Sequence, residues 1–194
     1  MKIEQFVMAY EAEQDRLRAL LPEGFESLRP VLRINAEIQD ENRAYLEFNT
    51  AVQSGKKCGW LNIACWDSEK DELSFEREGR DVTFTAPFLK ITYRPVDIQG
   101  SCPAEKDNNG CFFLGRTPEL RPPEEILENK EFCDCQFAWS FSEGDACGVS
   151  TGKTVPLFAS EPKNVYQKQE LSAAGAAAIP CKQVAGAYRV SFQR

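Results

Sequence analysis

Glu47 stands between Tyr45 and Asn49 at every second position of a strongly alternating run. Across residues 44–52, Tyr45, Glu47, Asn49 and Ala51 share one face, while Leu46, Phe48, Thr50 and Val52 share the other. Period-two alternation marks a half-buried β-strand. A carboxylate flanked by a phenol and an amide is either solvated or lines a cavity. In a cavity it can move a proton or orient a polar ligand. The preceding run, residues 31–38, alternates too, with Arg33, Asn35 and Glu37 opposite Leu32, Ile34, Ala36 and Ile38. Pairing of the two runs through the Asp40-Glu41-Asn42 turn superimposes their hydrophilic faces. Arg33, Glu37, Tyr45, Glu47 and Asn49 then form one cluster in which arginine can grip a carboxylate. The alternative is a solvated outer face with ordinary cross-strand pairs.

Lys90 is a further candidate for chemistry. It lies mid-strand in PFLKITY, on the face that holds Thr92 and Arg94. A lysine on a cavity wall beside a second cation has a lowered pKa and can act as an amine nucleophile. The alternative is a solvent-facing lysine on an antiparallel sheet.

Other chemistries are excluded. The chain has no histidine, so Ser-His and Cys-His nucleophile pairs are absent. Eight cysteines include a C-x-C at 133 and 135 but no C-x2-C knuckle, so they read as reduced, packed thiols rather than a zinc site. GVSTGKT at 148–154 resembles a phosphate-binding loop. Cys147 nevertheless stands where GxxxxGK needs glycine, and Pro156 stands where a helix must open. The expectation is a polar loop there, with no metal and no cofactor in the protein.

The net charge of −7, without a basic block, argues against nucleic acid and against anionic membranes. Residues 1–21 lack the apolar core of a signal peptide, and the run Ala173 to Ile179 is too short to span a bilayer. Free thiols then suggest a cytoplasmic protein. A chain of 194 residues is expected to form one domain over 1–194.

The elements that must position these residues follow from periodicity. Ile3, Phe6, Val7, Tyr10, Leu17, Leu20 and Leu21 predict a helix over 2–21, ended by Pro22 and Gly24. Strands are predicted at 31–38, 44–53, 60–66, 73–77, 81–94, 111–115, 135–142, 148–158 and 184–192. Trp60, Asn62 and Trp66 extend the alternation beside the Glu47 strand. Pro87 marks an edge or bulge. A loop is predicted at 100–110 and a short helix from Pro122 to Asn129; residues 165–178 are ambiguous. Strands follow strands through short turns, so the fold class is α+β with a large curled or closed antiparallel sheet, an N-terminal helix and one or two short helices.

In its first half the chain resembles the acetoacetate decarboxylase superfamily. The resemblance rests on LLPEGF at 20–25, YLE at 45–47, AVQSGKKCGWLNIACWD at 51–67 and the strand pair at 73–94. It implies a closed, cone-like antiparallel sheet around a small polar cavity, with Glu47 in that cavity. The family's decarboxylases use a Schiff-base lysine in a Gly-Arg-Glu…Pro-Lys-Lys motif just after the hairpin. Here residues 67–82 run from DSEKDEL straight into SFEREGRDV, and the motif is missing. The expectation is a protein that binds a small carboxylate or keto compound without that lysine. The alternatives are a lyase with Lys90 and Glu47 as catalytic residues, or a non-catalytic homo-oligomeric scaffold assembled through Phe137, Trp139 and Phe141.

Overall fold

The computed structural model describes residues 1–100, 111–113, 119–121, 129–141, 147–148 and 159–194. The elements are β1 (Lys2–Glu11), α1 (Gln14–Leu20), β2 (Glu26–Gln39), β3 (Arg43–Ser54), β4 (Lys57–Asp67), β5 (Ser74–Glu78), β6 (Asp81–Ala86) and β7 (Leu89–Gly100). They continue with β8 (Cys111–Phe113), β9 (Glu119–Arg121), β10 (Lys130–Trp139), β11 (Cys147–Gly148), α2 (Ala173–Ala177) and β12 (Gln183–Gln193). The predicted loop at 100–110 (beyond Gly100), the helix at 122–129 (up to residue 128) and most of the strand at 148–158, including nearly all of GVSTGKT, lie outside the described residues.

All described strands join one sheet in the order β5-β6-β7-β10-β12-β1-β2-β3-β4-β8-β9, with β11 beside β10. Every pair is antiparallel except β4 with β8. Among the described residues the path is open, with β5 and β9 as its ends, and the sheet is curled. Aromatic contacts measure the curl. Phe48 on β3 and Trp139 on β10 are four strands apart in the sheet, yet their rings lie 4.7 Å apart. A flat sheet would separate those strands by about 19 Å. Phe6 on β1 likewise meets Phe84 on β6 at 5.7 Å and Tyr93 on β7 at 5.2 Å. One large core therefore fills the concave side, built from Phe6, Met8, Ile34, Phe48, Phe84 and Tyr93 among others.

The N-terminal prediction is corrected. Residues 2–11 form a central strand, and the helix is confined to Gln14–Leu20. β1 lies between β12 and β2 and is buried on both faces: Phe6, Met8 and Tyr10 on one, Ile3 and Val7 on the other. A strand buried on both sides loses its alternation and mimics the apolar stripe of a helix. The predicted strand 81–94 is two strands, β6 and β7, hinged at Pro87 and Phe88. Phe137 and Trp139 point into the core at 3% and 5% exposure, so the proposed aromatic assembly face is turned inward. Phe141, 44% exposed, alone of the three reaches the surface.

Residues 159–172 form a strap without helix or strand across α1. Gln14 accepts the Ser160 N–H at 2.8 Å, and Asp15 accepts those of Lys163 and Asn164 at 2.9 and 2.8 Å. Glu13 accepts the Tyr166 hydroxyl at 2.6 Å. Three successive side chains thus fasten a segment that has no ladder of its own.

Candidate functional site

The register of β1 to β4 decides which side chains meet. On the face away from the main core, β2 sets Arg33 opposite Asn49, Asn35 opposite Glu47, and Glu37 opposite Tyr45. β1 adds Gln5 opposite Glu37 and Val7 opposite Asn35. β4 adds Cys65 opposite Glu47. The hairpin is folded here by its turn chemistry, with Asp40 and Glu41 at φ of 45° and 69°. The hydrophilic faces predicted from the sequence do coincide.

Glu47 is the centre of this array. Its Oε1 accepts the Tyr45 hydroxyl at 2.9 Å, and its Oε2 accepts an N–H of Asn49 at 3.4 Å. The Asn49 carbonyl accepts in turn from Asn62 at 3.2 Å. Burial pushes the Glu47 carboxyl above its ordinary range, and the nearby charge of Glu37 adds to the push. The Tyr45 hydrogen bond, Arg33 and Asn49 act the other way. Burial, and then the charge of Glu47, raise the Tyr45 phenol as well, so it remains a donor.

Glu37 is 3% exposed but fully engaged. It accepts from Gln5 at 3.0 Å, from Gln39 at 2.8 Å, and from both terminal nitrogens of Arg194 at 3.2 and 3.0 Å. Arg33 is 7% exposed and lies over Trp60, with Cζ 3.6 Å from the ring centroid. The ring offers the guanidinium a cation–π contact.

A bulge shapes the hairpin. β3 and β4 slip between Phe48 and Asn49, where Asn49 pairs with Asn62 and Phe48 with Ala64, leaving Ile63 over. The extra residue reverses the facing of everything beyond it. Trp60 and Asn62 therefore lie on the polar side, while Trp66 packs against the core and stacks on Phe88 at 4.2 Å. The expectation that Trp60, Asn62 and Trp66 share one face is corrected by that residue.

Five of the six predicted site residues meet: Arg33, Glu37, Tyr45, Glu47 and Asn49. Lys90 does not join them. It is exposed on β7, paired with Thr85 and Ala138, and β10, β12 and β1 lie between its strand and β2. Its neighbour Arg94 is held in a fork by Asp81. Among the described residues, no hydrogen-bond partner of Glu37 or Glu47 is a lysine. Sequence reasoning missed Gln5 and Arg194. Gln5 becomes visible once residues 2–11 are read as a strand; nothing local to Arg194 signals its reach to Glu37.

The chemistry on offer is a guanidinium for an anion, a carboxyl with a raised pKa for proton exchange, and amides for orientation. The curled sheet and this polar face on β1 to β4 define an acetoacetate decarboxylase-like fold. Solved structures share it over 98% of the chain. Acetoacetate decarboxylase from Legionella pneumophila matches with a TM-score of 0.52 at 14% identity, over 81% of its own length. An acetoacetate decarboxylase-like enzyme from Sphingomonas wittichii matches with 0.53 at 11%, over 87% of its length. The enduracididine biosynthesis enzyme MppR, complexed with the condensation product of pyruvate and imidazole 4-carboxaldehyde, matches with 0.53 at 10%, over 83%. No protein-family model matches the chain. No curated protein matches it in sequence either. Among the described residues, no helix is long and apolar enough to cross a membrane.

Proposed function

We propose that this protein binds a small carboxylate or keto compound on the polar face of β2 and β3, and does so without an amine nucleophile. The observation that carries this reading is the pairing of opposites on a buried surface. Arg33 lies on Trp60 at one end, and Glu47 is braced by Tyr45 and Asn49 one step away. The positive charge of Arg33 draws a ligand's carboxylate to this face, where the Glu47 carboxyl can meet one of its oxygens. Lys90, exposed on a distant strand, has no part in this. MppR, which shares the fold, is also known in a complex with pyruvate, and that precedent supports a ligand of this size and chemistry.

Calorimetry and thermal shift with a panel of small 2-oxo acids test the reading. Ligand at a hundredfold excess over Kd is expected to stabilise the fold by about 2.7 kcal/mol, or roughly 5–10 °C. Arg33→Met is expected to abolish the shift. Borohydride added with pyruvate is expected to leave every lysine unmodified. A reduced adduct on any lysine would overturn the claim that no amine takes part.

A further inference from the structure

β5 ends the sheet, and its outer side is open. Among the described residues it pairs with β6 alone, in unbroken register from Ser74 with Thr85 to Glu78 with Asp81. Phe75 is half-buried against the core, and the other four residues are exposed. Such an edge carries unpaired N–H and C=O groups and is a template for another strand. Native edges are commonly blunted by proline, a bulge, lysine or a covering segment. β5 has no proline, bulge or lysine, and four exposed residues in five leave no room for a cover. A cleft of about 440 Å3 runs along this open side. Among the described residues its walls are Arg77 from β5, Lys2 and Glu4 from β1, and Ile38 and Glu41 from β2 and its turn, with none from β6. That volume falls in the range of binding clefts, about 300–1,000 Å3.

The pleat sorts the charges of this edge. Phe75 points to the core, so Arg77 shares its inner face, and Ser74, Glu76 and Glu78 share the outer one. Arg77 is tied to Glu4. Glu76 has no ion pair or hydrogen bond among the described residues. Glu78 has none there either, because the nearby Arg94 is held in a fork by Asp81. We propose that β5 is a docking edge for an extended basic segment of another protein, which adds as a strand and sets lysine or arginine against Glu76 and Glu78. Its outward side chains alternate with apolar ones that enter the cleft beside Ile38. Main-chain hydrogen bonds hold such a strand, and the alternate side chains select it. The net charge of −7 draws a basic partner to the protein as a whole. A second copy is the wrong occupant. Antiparallel pairing centred on β5 sets Glu76 against its own counterpart, and like charges directly opposite repel.

Fluorescence anisotropy with short labelled peptides tests this. A peptide alternating lysine and valine is expected to bind, and one alternating glutamate and valine to bind about tenfold more weakly. Binding of the first should weaken with added salt, and a proline at its centre should remove it. Amide hydrogen exchange should slow at Ser74–Glu78 and not at the other end strand, β9. Glu76→Lys combined with Glu78→Lys should reverse the choice of peptide; both side chains are exposed, so the fold is kept. Equal binding of the two peptides, protection at β9 instead of β5, or no binding at about 1 mM peptide overturns the proposal. Protection of β5 that grows with protein concentration in the absence of peptide assigns the edge to a second copy and overturns it too.

Discussion

Asn35 and Glu47 face each other in register across β2 and β3, and no hydrogen bond joins them. Side chains directly opposite on an antiparallel pair normally interact. Here Glu47 turns instead along its own strand, to Tyr45 and Asn49.

The Glu47 carboxyl should make the folded protein less stable as pH rises. Burial holds its pKa above the unfolded value, so the native state binds more protons than the unfolded chain between the two. Its contribution is full below the unfolded pKa and is lost as pH rises through the folded one. Glu47→Gln keeps an acceptor for Tyr45 and removes the titration. The variant's melting temperature should match wild type in mild acid and exceed it increasingly toward neutral pH. A constant difference across that range would exclude the linkage.

Arg194 and Glu37 should respond unequally to mutation. Arg194→Ala leaves a carboxylate that is 3% exposed with Gln5 and Gln39 but no cation, and is expected to cost about 3 kcal/mol in urea unfolding. Glu37→Ala leaves a guanidinium whose side chain is 40% exposed to water, so it should cost less. Equal losses would mean that the pair contributes nothing beyond packing.

Cysteine reactivity should follow depth. Cys65 is exposed, whereas burial pushes the Cys133 thiol up to about 12 and the Cys135 thiol well above its ordinary value. Iodoacetamide is expected to label Cys65 in the native protein, and Cys133 and Cys135 only after unfolding. A bound ligand should slow labelling at Cys65, since it stands opposite Glu47 across β3 and β4. Peptide mass spectrometry reads each site separately.

Asp15 should govern the strap over α1. The N–H groups of Lys163 and Asn164, then Arg18, hold its carboxyl below the ordinary range. The attachment is therefore present above the unfolded pKa and lost as pH falls through the folded one. Asp15→Ala is expected to expose the bonds after Lys163 and Lys168 to trypsin at neutral pH, while the core strands stay intact. Unchanged digestion would assign the fastening to Glu13 and Gln14.

Much of the site was legible because its strands are amphipathic. Arg33, Glu37, Tyr45, Glu47 and Asn49 alternate with core residues, and the turn at Asp40 to Asn42 leaves one register that buries the apolar set. β1 was not legible, because Ile3, Val7, Phe6, Met8 and Tyr10 are buried on both sides and satisfy either period. The facing of Trp66 depends on one surplus residue at Ile63, which no alternation count reveals. That the Asn35 Oδ1 finds no partner among the described residues depends on where its neighbours spend their hydrogen bonds, a property of the assembled sheet alone.

The place of β1 has a bearing on how the chain is made. Its partner on one side, β2, follows within a few dozen residues, but its partner on the other, β12, comes from residues 183–193. At 5–20 residues per second, roughly 8–30 s separate the emergence of the two from a ribosome. Throughout that interval a long apolar strand has a bare edge, the kind of template on which nascent chains associate. Yield at high expression should thus hinge on chaperone supply more than on the stability of the finished fold.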